Sequence, residues 1–224
     1  MNKAVLFDLD GTLIDTAPDF IIAVNKLREE FGFSPLSDAT ISEQVSNGAG
    51  ELTKLALSIN EKDPIFESSK DKLLSNYLEV IGKKANLYPT LEVLLEKLKK
   101  NNISWGIITN KPLFYTLALL KSLSLENEYD VLICPDHVKN KKPDPEGILI
   151  ALNHLHCEST NAIYIGDHQR DIQAGKLAGV KTICAAYGYI PESENIKRWN
   201  ADFTVDKSED LSRIIEDFFL ATFN

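Results

Sequence analysis

Short apolar runs alternate with amphipathic stretches along most of this 224-residue chain. Residues 4–9, 104–109, 131–134, 162–166, 181–185 and 203–205 are brief and mostly apolar, which reads as strands buried on both faces. Between them, residues 91–100, 112–122, 144–154, 170–178 and 208–219 repeat apolar positions at helical spacing. Strands and helices alternating at this interval predict parallel βαβ units and an α/β, Rossmann-like parallel-sheet core.

One interval breaks the alternation. From about Thr16 to Asn86 no strand pattern occurs, and three helical faces take its place. Phe20, Val24, Leu27 and Phe31 form the first; Leu52, Leu55, Ala56 and Ile59 the second; Leu73, Leu74, Tyr77, Leu78 and Ile81 the third. Pro18 with Asp19 suits a helix start, while Gly32 and Gly82 suit helix ends. Thr90 after Pro89 reads as the N-cap of the 91–100 helix. The pattern predicts an all-α domain, residues 16–86, inserted after the first strand of a core made of residues 1–15 and 87–224. Hinges are expected near residues 13–17 and 86–89, where the chain crosses twice.

In a parallel α/β sheet, ligands gather at the carboxyl ends of the strands, and the polar signals of this chain gather there too. The first strand ends in Asp8-Leu9-Asp10-Gly11-Thr12, the second in Thr109-Asn110-Lys111-Pro112, the fourth in Gly166-Asp167-His168-Gln169-Arg170-Asp171. Between the last two lies Lys139-Asn140-Lys141-Lys142-Pro143. Residues two apart in an extended segment share a side, so Asp8 and Asp10 are expected to crowd one small space. Buried carboxylates need a cation or a proton. Gly11 permits a tight turn, and Thr12 offers a hydroxyl to fix an anion or a carboxylate.

Composition narrows the field. At 44% hydrophobic and 25% charged residues the chain is ordinary for a soluble globular protein. Its apolar runs fall short of the roughly 20 residues that span a bilayer, and the first strand begins too early to leave room for a signal peptide. A cytoplasmic location is the expectation. Cys134, Cys157 and Cys184 are few and widely spaced, as reduced thiols would be. A net charge of −9 argues against nucleic acid or an anionic membrane as partner, and an anionic substrate would need a local cation.

The four strand-end motifs in this order, with the helical insertion, resemble the haloacid dehalogenase superfamily of phosphohydrolases over the whole chain. Within it the chain looks most like the phosphoglycolate phosphatase group, and there it is similar to bacterial N-acetylmuramic acid 6-phosphate phosphatases of cell-wall recycling. Thr16-Ala17-Pro18-Asp19-Phe20, the 132–140 segment and Tyr187-Gly188-Tyr189-Ile190 carry that nearer likeness, with Trp199-Asn200-Ala201-Asp202 after them. The resemblance implies that the insertion is a cap, and that Asn47, Gly48 and Ala49 belong to its substrate-specificity loop. It selects Lys142 over Lys139 and Lys141, because Lys142 immediately precedes Pro143. His168 departs from the small residue, often serine, that many relatives carry after Gly-Asp.

The chemistry follows. Phosphate monoesters are among the slowest substrates to hydrolyse unaided, with enzymatic accelerations up to about 10²¹. A carboxylate nucleophile divides the displacement into two easier steps, and Asp8 is the expected nucleophile. Asp10 is expected to protonate the leaving alkoxide and then deprotonate water, with crowding beside other anions raising its pKa. A phosphate dianion with Asp8, Asp167 and Asp171 concentrates negative charge. That points to Mg²⁺ held by Asp8, the backbone carbonyl of Asp10 and Asp167, with Asp171 orienting Asp167 or a metal-bound water. Lys142 is the second cation, and Thr109 with Asn110 would hold a phosphoryl oxygen. His137, His154 and His156 read as surface or packing residues, and Trp105 as core.

Substrate choice falls to the cap. The loop at residues 46–51 offers amides but no cation, and Lys54 is the nearest cap cation. A small acid needs a tight cationic clamp, whereas an acetylated sugar can be selected by shape and backbone groups. N-acetylmuramic acid 6-phosphate is therefore expected ahead of phosphoglycolate. A phosphomutase and a non-catalytic metal-binding regulator are the remaining alternatives; dehalogenation is disfavoured because it has no use for Asp10. A monomer or a homodimer fits equally.

Overall fold

The computed structural model of the chain describes residues 2–221. Its centre is β1 (Ala4–Phe7), four residues with every side chain buried. β4 (Ser104–Ile108) and β6 (Ala162–Gly166) flank it in parallel, with Ala4 opposite both Ser104 and Ala162. Outward from these lie β5 (Val131–Ile133), β7 (Lys181–Ala185) and β8 (Phe203–Val205), giving one parallel sheet in the order β5-β4-β1-β6-β7-β8. The chain runs from β1 to one side and later returns to the other. Strand order therefore reverses beside β1, and a crevice opens there at the carboxyl ends.

Helices cover both faces. α5 (Leu91–Lys100), with Leu91, Leu94, Leu95 and Leu98 on its buried stripe, packs one face with α9 (Leu211–Ala221). α7 (Glu146–His154) and α8 (Gln169–Ala178) pack the other against Leu6, Ile108 and Tyr164. α6 (Leu113–Ser122) follows β4 and buries Leu119 and Leu120. Trp105 is core, and the three cysteines are free and buried. No helix among the described residues is long and apolar enough to cross a membrane.

The insertion holds one helix more than the periodicity predicts: α1 (Ala17–Glu30), α2 (Asp38–Val45), α3 (Ala49–Leu57) and α4 (Phe66–Val80). α2 escapes the pattern because it buries only Ile41 and Val45, too few to reveal a period. Ser37 caps it by accepting the Thr40 N–H. The four helices share a separate apolar core around Phe20, Val24, Leu27, Leu52, Leu73 and Tyr77. Phe31 is not part of it: it sits past the last turn of α1, 43% exposed.

Two crossing segments join insertion and sheet, and they pair with each other. β2 (Ile14–Asp15) and β3 (Asn86–Leu87) form a two-residue antiparallel ladder with Ile14 opposite Leu87. The buried carboxylate of Asp19 accepts the amides of Gly82 and Lys84 at 2.6 and 2.8 Å, tying the start of α1 to the end of α4. Thr90 precedes α5 but does not cap it with its hydroxyl; its backbone is left-handed, at φ 64°.

Candidate active site

β1 ends at Phe7, two residues short of the predicted strand. The reason lies in the turn: the carbonyl of Leu9 accepts from Leu13 and Ile14, and Gly11, at φ +79°, donates to the Ile14 carbonyl. The period-two argument therefore does not reach Asp10. Asp8 and Asp10 border the same cavity but have separate partners.

Asp8 lies 2.7 Å from the ammonium of Lys142, which also lies 2.7 Å from Asp171. Lys142 completes its surroundings with the Ile108 carbonyl and the Tyr164 hydroxyl, both at 2.9 Å. Burial alone would depress this lysine, but Asp171 and Asp8 outweigh it and hold its pKa above the ordinary value. Asp171 thus secures Lys142 while its carboxylate stays in the cluster with Asp8 and Asp167. Its second oxygen accepts the His168 amide at the start of α8. Asn110 grips the Lys142 backbone from both sides, accepting its N–H and donating to its carbonyl.

Asp10 faces a cation, not other carboxylates: Lys111 donates to it at 2.9 Å and Thr16 at 2.6 Å. The expected crowding falls instead on Asp8, Asp167 and Asp171, whose oxygens lie within 4.8 Å of one another. Burial pushes Asp8 up to about 6 despite Lys142. Burial, then Asp8 and Asp171, push Asp167 up to about 8. Asp167 is 1% exposed and accepts from the Tyr189 amide, Ser46 and Thr12, with no ammonium or guanidinium partner among the described residues. A buried carboxylate held by neutral donors alone, beside two more carboxylates, is a hard-oxygen donor set that fits Mg²⁺. Space here is tight: a methyl group on Gly11 would come within 2.2 Å of Asp167, and one on Gly188 within 2.3 Å.

Thr109 is buried at the end of β4, and its hydroxyl accepts the Lys111 amide. Above these residues opens a cavity of about 790 Å³ between sheet and insertion. Asn47, Gly48 and Ala49 line its far side, and Gly48, at φ +86°, has open space where a side chain would project. Phe20, Phe66, Tyr77 and Tyr115 form an aromatic wall. Lys54 does not border the cavity; Glu51 and Glu61 hold its ammonium. The small-acid clamp that it could have supplied is therefore committed elsewhere.

Four residues matter here that sequence reasoning did not single out. Lys111 is buried between Asp10 and the stacked rings of Phe20 and Tyr77, 4.8 and 4.7 Å from their centroids. Ser46 reaches Asp167 from the loop before α3, and Arg170 donates to the Ser46 carbonyl and the Asn47 side chain. Tyr189 carries on its hydroxyl the amides of Thr16 and Ala17, and donates to Asp15. Arg170 and Lys111 stand inside the strand-end motifs, so position was the available signal. His168 caps α8 through Nδ1, which accepts the Arg170 amide, and its ring stacks near Trp199. Burial, then Arg170, lower it to about 4, so it is neutral at neutral pH. His154 and His156 are exposed.

Residues 5–185 match the family described as "Haloacid dehalogenase-like hydrolase". The chain is 36% identical over 214 residues to an N-acetylmuramic acid 6-phosphate phosphatase of Pseudomonas putida, covering 96% of each. It is 34% identical over 210 residues to a phosphoglycolate phosphatase of Xanthomonas campestris, covering 93% of this chain and 94% of that one. Among solved structures, a predicted phosphoglycolate phosphatase from Haemophilus somnus shares the fold at a TM-score of 0.84 and 24% identity, covering 95% and 97% of the two chains.

Proposed function

Because the chain belongs to the haloacid dehalogenase-like hydrolase family and is a phosphoric monoester hydrolase, we propose that its substrate is N-acetylmuramic acid 6-phosphate. Hydrolases of this family generally use a divalent metal, typically Mg²⁺. Asp8, the Asp10 carbonyl and Asp167 would hold it. Bound there, the ion offsets charge on the phosphoryl group.

The chain's own residues supply the rest. An oxygen of Asp8 attacks phosphorus while the ester P–O bond breaks, and the departing alkoxide takes a proton from Asp10, which has to enter this step protonated even though Lys111 pairs with its carboxylate in the free protein. Asp10, now a carboxylate, takes a proton from water as that water attacks the phosphoaspartate. Inorganic phosphate leaves and Asp8 is restored. Lys142 balances Asp8 and the transferring group, and Asp171, Tyr164 and Asn110 keep Lys142 in place. Thr109 would hold a phosphoryl oxygen.

One observation carries the substrate: the cavity is about 790 Å³ and its cap wall is aromatic, while the cap cation Lys54 is tied to Glu51 and Glu61. Phosphoglycolate would leave most of that volume empty, whereas an acetylated sugar fills it against the rings. Identity to the Pseudomonas putida enzyme points the same way. Measuring kcat/KM for both compounds tests the reading. A phosphoglycolate value about tenfold or more above the muramic acid value overturns it and leaves the phosphatase assignment intact.

A further inference from the structure

Among the described residues, five cationic side chains border the cavity. Lys142 is held by Asp8 and Asp171, Lys111 by Asp10, and Lys70 by Glu67. Lys141 is on the exposed rim. Arg170 differs from all of these. It is partly buried and has no carboxylate partner among the described residues, yet it is fixed in place. One guanidinium nitrogen, Nη2, donates to the Ser46 carbonyl at 2.9 Å and to the Asn47 side chain at 3.3 Å. Its remaining donors have no partner among the described residues. A guanidinium offers five N–H groups in a rigid fork matched to planar oxyanions. A fixed, unpaired one on a ligand cavity is therefore prepared for such a group.

His168 stands beside it on the same wall. Its Nδ1 accepts the Arg170 amide, which places the ring proton on Nε2, and the ring lies near Trp199 at an interplanar angle of 22°. Nε2 has no hydrogen-bond partner among the described residues. Two oriented donors, one charged and one neutral, thus line the cavity at the start of α8. The acidic side chains on the opposite wall do not compete for Arg170, since Glu51 and Glu61 are engaged by Lys54 and Glu67 by Lys70.

We infer that Arg170 and the Nε2–H of His168 form a carboxylate-binding subsite that reads an acid group on the organic half of the phosphoester. The inference rests on the substrate reading above and deepens it: muramic acid differs from glucosamine by an ether-linked carboxylic acid. The subsite makes that acid a second selecting feature, beside the fit of the acetylated ring to the aromatic wall. It also makes the cap loop a participant, because Arg170 is aimed by Ser46 and Asn47. A site built to pair a carboxylate discriminates against an analogue that lacks it, since its own donors are then left unsatisfied.

The test compares two esters that differ only in the acid: N-acetylmuramic acid 6-phosphate and N-acetylglucosamine 6-phosphate. Steady-state kinetics are measured for the wild type, Arg170→Gln, Arg170→Lys and His168→Ser. The wild type should prefer the acid ester. Arg170→Gln should shrink that preference by on the order of 10- to 100-fold, chiefly through KM, as loss of a charge-assisted pair would. Arg170→Lys should recover part of it, and His168→Ser should cost about three- to tenfold for the loss of one neutral hydrogen bond.

Equal losses on both esters would overturn the inference and assign Arg170 to the cap loop or the phosphoryl group. An unchanged ratio in Arg170→Gln would also overturn it. Failure of the substrate reading looks different: the wild type then turns over phosphoglycolate far better than either sugar ester. Phosphoglycolate carries a carboxylate as well. In that case the subsite stands only if Arg170→Gln depresses phosphoglycolate turnover at least about tenfold more than p-nitrophenyl phosphate turnover.

Discussion

The ammonium of Lys142 lies 2.7 Å from a carboxylate oxygen of Asp8, in a setting where both side chains are almost entirely removed from water. Lys142 keeps Asp8 close to charge balance and leaves its second oxygen for other work. Asp8→Asn retains volume but removes the nucleophile. It should fold, and it should lose on the order of 10⁴-fold or more in kcat. Asp10→Asn should be severely impaired as well, but should accumulate phosphoenzyme with a good leaving group, because the first step then needs no acid. Rapid-quench trapping of phosphoprotein separates the two. Near wild-type turnover by Asp8→Asn would refute the covalent route.

Divalent metal should be required, with EDTA abolishing turnover and Mg²⁺ restoring it. Ca²⁺ should inhibit, because its larger and looser coordination disturbs in-line attack. Full turnover after exhaustive chelation would contradict the argument from Asp8, Asp167 and Asp171.

The same carboxylates set a pH signature on the metal-free protein. Asp167 is pushed up to about 8 and Asp8 to about 6, against an ordinary value of 3.8 in the unfolded chain. Between those limits the folded state binds more protons than the unfolded state, so stability falls as pH rises through each folded value. His168, lowered to about 4, acts only on the acid side of neutrality. The melting temperature of metal-free protein should therefore drop from pH 7 to pH 9, and Mg²⁺ should restore more of it at pH 9. A flat or rising profile in the presence of EDTA would contradict this.

The sheet was legible in the sequence because its central strands are buried on both faces, so each appears as a short apolar run such as residues 162–166. Asp8 and Asp167 were legible because each follows the end of a strand, and Lys142 because the family resemblance singles out the lysine before Pro143. What was not legible depends on tertiary placement. α2 shows two buried apolar residues and no period, and the β2–β3 ladder is two residues long. The partner of Asp10 is Lys111, from a different strand end, so spacing along β1 misjudged its surroundings. Arg170 and Tyr189 act across 124 and 172 or more residues, on Ser46 and on Thr16 and Ala17. No local pattern encodes such contacts.

Gly11 offers a test of the tight turn. Its φ of +79° costs an L-residue about 1–2 kcal/mol, and a methyl group there would meet Asp167 at 2.2 Å and Tyr189 at 2.8 Å. Gly11→Ala should lower stability and weaken Mg²⁺ binding together, because the clash displaces the Asp167 carboxylate. Isothermal titration with Mg²⁺ beside thermal melts reads both. Unchanged Mg²⁺ affinity in a folded Gly11→Ala protein would show that Asp167 is not constrained through this turn.

Tyr189 links the sheet to the insertion through a single hydroxyl. It accepts the Thr16 and Ala17 amides at 2.6 and 2.7 Å and donates to Asp15 at 2.6 Å, at the crossing where β2 leads into α1. Its own amide meanwhile donates to Asp167 at 2.9 Å. These two amides belong to the N-terminal turn of α1, where no intrahelical acceptor exists, so the hydroxyl serves as an external cap. Tyr189→Phe keeps the ring and the Asp167 contact but strands two buried donors. The cost should be on the order of 2–3 kcal/mol, or roughly 5–10 °C in melting temperature for a chain of this size. Because the backbone amide is untouched, Mg²⁺ affinity should change far less than stability. Hydrogen exchange should speed up most at Thr16 and Ala17. A melting temperature equal to wild type would mean that water replaces the hydroxyl at no cost and that Tyr189 does not secure the crossing.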